Sequence, residues 1–160
     1  MTPSRLKEIL DAVRNQADLL TRDMDGDGDK ETFCNIALDR VLGLCGIPRM
    51  VNKLNGQPLM ANDMIDFMRS SVNWERVNGE VATARANIGT LVVAAQQADG
   101  HGHVAPVYPA PAEWSGSWGK EAPMLSNVGR QNAVLRASQC FRTEPEYFSR
   151  RLTTPAEPIA

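Results

Sequence analysis

The hydrophobic pattern of this chain changes its period near Gly89, and that change limits the folds open to it. Before Gly89 apolar residues recur at helical spacing, whereas the β-rich run 90–95 begins a series of short strands. Helices followed by strands indicate an α+β fold in which helices pack on an antiparallel sheet. With 160 residues the chain can bury the core of one domain.

The periodicity predicts helices at about residues 3–22, from near 32 to 43–46, after an N-cap at Asn62, and at 80–87. It predicts strands at 90–95, 103–108, 123–128 and 134–141. The stretch 109–121, rich in Pro, Trp, Gly and Ser, is predicted to be irregular. We expect one domain over residues 1–151 and a disordered tail over 152–160.

Charge and composition exclude several classes of function. The net charge is −2, and no basic run suggests contact with nucleic acid or an anionic membrane. No apolar run approaches transmembrane length, and the N-terminus lacks the pattern of a cleaved signal peptide. We therefore expect a monomer that is synthesised in the cytoplasm and reaches any outside substrate by another route.

The three cysteines, at positions 34, 45 and 140, form no CxxC pair and no zinc spacing. Cys45 and Cys140 lie in apolar surroundings, where a thiol acts as a small hydrophobic side chain. Cys34 instead opens the second predicted helix, where unpaired N–H groups and the helix dipole favour a thiolate. The local sequence fits both a nucleophile and a buried structural cysteine.

The chain has only two histidines, so a base for Cys34 must be His101 or His103. His103 begins a predicted strand and would be held rigidly. His101 lies in a turn and is a candidate substrate-binding residue at the rim of a cleft, with simple exposure as the alternative. Asn127, on the next predicted strand, can orient an imidazole through its amide oxygen. The alternative is that Asn127 simply ends its strand.

An acidic loop lies between the first two predicted helices. Its carboxylates occupy positions 1, 3, 5, 7 and 9 of an EF-hand-type calcium loop, with Gly28 at position 6: Asp23, Asp25, Asp27, Asp29 and Glu31. Cys34 occupies position 12, normally a glutamate, so the EF-hand is incomplete. The loop is a candidate structural calcium site, and a solvated acidic turn is the alternative.

Two tryptophans in the irregular stretch, Trp114 and Trp118, are candidate substrate-binding residues because aromatic side chains can line a groove. The alternative is that they pack back onto the core. Trp74 lies between apolar segments and is predicted to be a core residue.

Four segments together resemble a phage- and prophage-associated branch of the NlpC-type, CHAP-like cysteine hydrolases. In order along the chain they are Thr32-Phe33-Cys34-Asn35-Ile36, Met60-Ala61-Asn62-Asp63-Met64-Ile65-Asp66-Phe67, Val92-Val93-Ala94-Ala95 and Gly100-His101-Gly102-His103-Val104-Ala105. In that branch an aromatic-Cys-Asn motif opens the catalytic helix and Gly-His-Val-Ala opens the strand of the base. The resemblance spans about residues 30–135.

The resemblance implies a papain-like fold, a Cys-His-polar triad and cleavage of an amide bond in bacterial peptidoglycan, without an organic cofactor. It assigns Cys34 as the nucleophile and His103 as the base, and Asn127 falls where relatives have Gln or Asn. Some CHAP-like relatives bind calcium beside the nucleophile. Pro106 and the stretch 109–121 depart from the family pattern and leave substrate preference open.

We therefore expect an amidase or endopeptidase that acts on the cell wall after export, injection or lysis. Two alternatives remain from the sequence. One is a papain-like peptidase or amidase with a substrate outside the wall, and the other is a calcium-stabilised interaction module without enzymatic activity.

Overall fold

The computed structural model describes residues 1–152 and confirms the α+β class. The helices are α1 (Pro3–Arg14), α2 (Cys34–Leu44), α3 (Ala61–Ser70), α4 (Gly79–Ala86) and α5 (Ala137–Cys140). The strands are β1 (Trp74–Val77), β2 (Val92–Gln96), β3 (His103–Pro106), β4 (Glu113–Ser115), β5 (Lys120–Ala122), β6 (Met124–Asn127), β7 (Ala133–Arg136) and β8 (Glu146–Arg150). The predicted disordered tail lies outside the described residues except for Leu152.

The main sheet is antiparallel and has the strand order β1-β8-β2-β3. Beyond the end of β3, a bridge joins Val107 to Leu125 and brings β6 beside it. Strand β6 also pairs with β7, with Asn127 opposite Ala133. The strands that carry His103 and Asn127 are therefore neighbours, although 24 positions separate the two residues.

Helix α2 packs against β3 because one of its faces is apolar at helical spacing. The buried residues of that face are Cys34, Ala37, Leu38, Val41 and Leu42. Helix α1 packs on both α2 and β6, where the Arg14 Nη1 donates to Ser126 Oγ at 3.1 Å. These contacts bring the start of α2 to the sheet edge formed by β3.

The first helix is shorter than the sequence predicts. Thr2 caps it by accepting from the Arg5 N–H at 3.1 Å, as expected for an N-cap followed by Pro3. The helix ends at Arg14 because the backbone adopts an extended conformation at Gln16. Residues Ala17–Leu19 then form a separate 3₁₀ turn. The extended backbone lets Leu19 enter the core while Leu20 remains exposed.

Other sequence predictions also need correction. The N-cap of α3 is Met60, and the Asn62 side chain instead bonds to the backbone of Ala98. Cys140 ends the short helix α5 and does not lie on a strand. The stretch 109–121 is not wholly irregular because it contains β4 and the first residues of β5.

Strands β1 and β8 are absent from the sequence prediction, although β8 lies between β1 and β2 in the main sheet. Trp74, predicted as a core residue, is buried on β1. Over residues 1–152 no helix combines the length and the apolar character needed to cross a bilayer.

Candidate active site

Cys34 is the first residue of α2, as predicted, and only 6 % of it is exposed. The preceding residue, Phe33, is not helical, and its carbonyl accepts from the Ala37 N–H at 2.9 Å. The N–H groups of Cys34 and Asn35 therefore lie in the first turn, where the helix offers them no carbonyl partner. They are available to a sulfur or oxygen atom with negative charge.

Two opposing effects act on the Cys34 thiol. Burial raises its pKa, while the backbone N–H groups of Val104, Asn35 and Cys34 lower it. Burial is the larger effect, so the thiol is protonated in the resting protein and needs a base to become a nucleophile. The Val104 N–H interaction places the sulfur beside the residue that follows His103.

His103 is held by a hydrogen bond of 2.7 Å between its Nε2 and Asn127 Oδ1. The other end of the amide is fixed as well, since Asn127 Nδ2 donates to the Gln131 carbonyl at 2.7 Å. The oxygen of Asn127 therefore faces the imidazole and must accept a hydrogen bond from an Nε2–H group. We assign the Nε2–H tautomer on this basis, which leaves Nδ1 free to accept a proton.

Burial lowers the pKa of His103, and the hydrogen bond that its Nε2–H donates to Asn127 Oδ1 opposes that effect. The imidazole is therefore neutral near pH 7 and can act as a general base. The Phe141 ring lies 5.2 Å from the imidazole, centroid to centroid, with the planes tilted by 47°. This ring adds to the apolar surroundings that keep His103 uncharged.

A surface cleft of about 450 Å³ reaches Cys34. Its lining comes from the acidic loop, from Asn35, from the start of α3 with residues Met60–Asn62, and from the turn 100–102. His101 lies on this lining and is exposed. Among the described residues, the lining includes Cys34 but neither His103 nor Asn127, so Cys34 is the one of these three candidate residues that the cleft reaches.

The structure does not bring Trp114 and Trp118 to this cleft. Trp114 lies on β4 with 61 % of its surface exposed. Trp118 packs back onto a second apolar cluster, and its Nε1 donates to the Arg142 carbonyl at 3.2 Å. The prediction that these tryptophans bind substrate therefore has no support from the geometry of the cleft.

Four of the five predicted metal ligands come together in the acidic loop. One carboxylate oxygen from each of Asp23, Asp25, Asp27 and Glu31 lies within 4.8 Å of the other three. Asp29 is not in this group, and its backbone N–H instead donates to Asp27 Oδ1 at 2.8 Å. An all-oxygen set of this kind has the donor chemistry that calcium prefers.

Backbone hydrogen bonds shape the acidic loop. Asp23 accepts from the N–H groups of Gly26 at 2.6 Å and Gly28 at 3.0 Å, and these bonds lower its pKa. Both glycines have positive φ, of 79° and 94°, which permits the tight curvature. The loop therefore turns its carboxylates inward through its own backbone.

Sequence reasoning missed several residues around the imidazole. The Gln131 carbonyl sets the orientation of the Asn127 amide, and Gly129 passes close to both side chains of the pair. A turn between 128 and 132 could have been predicted from Gly129 and Asn132. No pattern in the sequence indicates that Phe141 approaches His103.

No protein-family model matches the chain, and a search of curated proteins finds no match.

Proposed function

We propose that the protein is a papain-like cysteine hydrolase that cleaves an amide bond in bacterial peptidoglycan. The observation that carries this proposal is one arrangement of three side chains. Cys34 opens a helix beside the backbone of Val104, and the adjacent His103 is bonded to Asn127 at 2.7 Å. A thiol, an imidazole and an orienting amide are the components of the Cys-His-Asn form of the catalytic triad.

The protonation states suit a general-base mechanism. Nδ1 of His103 takes the thiol proton as the Cys34 sulfur attacks the amide carbonyl carbon. The C–N bond then breaks, the imidazolium returns its proton to the leaving amine, and a thioester remains on Cys34. Water, activated by the same imidazole, hydrolyses the thioester to a carboxylic acid and the free thiol.

The negative oxygen of the tetrahedral intermediate needs hydrogen-bond donors. The backbone N–H of Cys34 lies in the first turn of α2, where the helix dipole adds a partial positive charge. In our proposal this N–H donates to the oxyanion, as in other acyl-transfer sites. The same group opposes the effect of burial on the pKa of the thiol.

Peptidoglycan is proposed as the substrate because of the four sequence segments that resemble the NlpC-type, CHAP-like hydrolases. The test is digestion of purified cell walls, followed by mass spectrometry of the soluble products. A new carboxylate and a new amine at one defined bond are expected, and their positions distinguish an amidase from an endopeptidase.

Two variants test the base in the same assay. His103→Ala should reduce the rate by about 10²–10⁴-fold, the usual contribution of a general base. His101→Ala, the matched control, should retain most of the rate because His101 is exposed on the cleft rim. If the protein leaves purified walls intact but cleaves soluble peptides, that result would favour a substrate outside the wall.

We further propose that the acidic loop binds a structural calcium ion through Asp23, Asp25, Asp27 and Glu31. A cation would offset the repulsion among these carboxylates and order a loop that lines the cleft beside Cys34. Addition of a chelator should lower both the melting temperature and the activity, and calcium should restore both. Magnesium should substitute poorly because it requires a tighter octahedral shell.

A matched pair of variants locates the effect of calcium. Asp25→Asn should weaken the response to calcium, whereas Asp63→Asn should leave it unchanged because Asp63 lies on α3 outside the group of four. Calorimetric titration without heat of binding at millimolar calcium would contradict the proposal. Calcium binding without any hydrolytic activity would instead favour a calcium-stabilised interaction module.

A further inference from the structure

Asn132 links the N-terminal segment to the turn that follows β6. Its Nδ2 donates to the Leu19 carbonyl at 3.0 Å, and its Oδ1 accepts from the Gly129 N–H at 3.0 Å. Leu19 is 1 % exposed and belongs to the 3₁₀ turn after α1, so the acceptor carbonyl is part of the packed interior. One side chain therefore fixes the turn 129–132 to a rigid neighbour.

That turn controls the amide of Asn127. The Gln131 carbonyl, one residue before Asn132, accepts from Asn127 Nδ2 at 2.7 Å. An amide can rotate by half a turn at little cost unless its two ends meet different partners. With Nδ2 bonded to Gln131, only Oδ1 can face Nε2 of His103.

We propose that Asn132 is a positioning residue that holds the Gln131 carbonyl in place, and thereby fixes the Asn127 amide and the Nε2–H tautomer of His103. The proposal extends the function proposed above, in which Nδ1 of His103 must be unprotonated to accept the thiol proton. If the turn moves, Asn127 loses its Nδ2 partner and its oxygen no longer faces the imidazole in a single orientation. Part of the His103 population then carries its proton on Nδ1 and cannot act as the base.

The direct measurement is a long-range ¹H–¹⁵N spectrum of the imidazole rings in the full chain. The chain has only two histidines, so exposed His101 serves as an internal reference for His103. The native protein should show His103 as the Nε2–H tautomer with a slowly exchanging Nε2 proton. In Asn132→Ala that proton should exchange faster and the Nδ1–H tautomer should appear, with no change at His101.

Asn87→Ala is the matched control because Asn87 makes the same kind of bond in another part of the structure. Its Nδ2 donates to the carbonyls of Thr83 and Ala110, each at 2.9 Å. This variant should leave both imidazole spectra unchanged. If Asn132→Ala does not fold, Asn132→Asp takes its place, since it keeps an acceptor for the Gly129 N–H but loses the donor to Leu19.

Kinetics on purified walls separate positioning from a general loss of structure. Asn132→Ala should lower kcat roughly 10-fold with little change in KM, because it disturbs the geometry of the base and not the cleft. The double variant Asn127→Ala/Asn132→Ala should be no slower than Asn127→Ala alone, because Asn132 acts through Asn127. If the rate losses of the two single variants multiply in the double variant, the proposal is overturned.

An unchanged His103 tautomer in Asn132→Ala would also overturn the proposal. The two kinds of measurement keep this inference apart from the proposed function. If wall digestion fails altogether, the hydrolase assignment fails, while the spectra still decide whether Asn132 sets the His103 tautomer.

Discussion

Gly129 lies where the imidazole of His103 meets the amide of Asn127. A Cβ at this position would be 3.3 Å from His103 Cε1 and 3.4 Å from Asn127 Nδ2, closer than most side-chain contacts. The absence of a side chain therefore gives the hydrogen-bonded pair the space it needs. At the scale of single residues, the site depends on space and on orientation as much as on the reactive groups.

Gly129→Ala should therefore impair catalysis. The added methyl group must displace the imidazole or the amide by a few tenths of an ångström, and we expect a rate loss of roughly 10-fold on purified walls. Gly43→Ala is the control, since a Cβ there meets nothing within 4 Å and lies on the exposed side of α2. It should leave the rate unchanged and stabilise the fold by about 0.5–1 kcal/mol. Equal rates for both variants would refute the close contact.

The pH dependence of the rate follows from the burial of His103. Burial lowers its pKa below the ordinary value of 6.5, so the neutral base persists to lower pH than for an exposed histidine. On the acid side of the pH profile, the midpoint of kcat/KM should therefore lie below the ordinary histidine pKa of 6.5. The His101→Ala variant should not move that midpoint. An acid limb at or above pH 6.5 would contradict a buried neutral base.

The same group links stability to pH. Because the pKa of His103 is lower in the folded than in the unfolded protein, the unfolded chain takes up the proton first as the pH falls. His103 therefore contributes to stability at pH values above its pKa in the unfolded chain. That contribution is lost as the pH falls through its pKa in the folded protein. Urea unfolding measured across this pH range should show the loss of stability in the native protein and not in the His103→Phe variant.

At the scale of elements, α2 is held near its middle by a pair of charged side chains. Asp39 on α2 is buried, and Arg49 bonds to both of its carboxylate oxygens at 2.7 and 2.6 Å. The apolar face of α2 holds the helix on β3, and this pair fixes it to the segment that follows. The position of Cys34 depends on both.

Arg49→Ala should destabilise the protein because it leaves the Asp39 carboxylate buried without its partner. The free energy of unfolding, measured with urea, should fall because the buried carboxylate loses its hydrogen-bond donors. Arg5→Ala is the control, since the Arg5–Glu8 pair is exposed and should contribute less than about 1 kcal/mol. If the two variants lose the same free energy, the ion pair does not hold α2.

At the scale of the whole molecule, the sequence predicted the elements whose signals are local. Hydrophobic periodicity, together with glycine and proline residues at the element boundaries, predicts that α2 starts at Cys34 and that a strand begins at His103. The pairing of β3 with β6 through Val107 and Leu125 could not be predicted, because register is set by tertiary packing. The candidate triad was therefore predicted as three residues, and only the fold shows how two of them meet.

Strand β8 shows why other parts were missed. Its apolar residues Tyr147 and Phe148 are adjacent and do not alternate with polar ones, since the strand is paired on both sides and buried on both faces. A run of five residues with charged ends gives no periodic signal. The contacts of Asn132 with Leu19 and Gly129 are likewise invisible in the sequence, because the Leu19 contact spans 113 positions.

The most direct test of the central claim is to compare three cysteine variants in the digestion of purified cell walls. Cys34→Ser should abolish turnover while the melting temperature stays close to that of the native protein, because the substitution removes the nucleophile and little volume. Cys45→Ala and Cys140→Ala should retain most of the rate, since both thiols are half-buried and lie outside the cleft. Full turnover by Cys34→Ser would contradict the account.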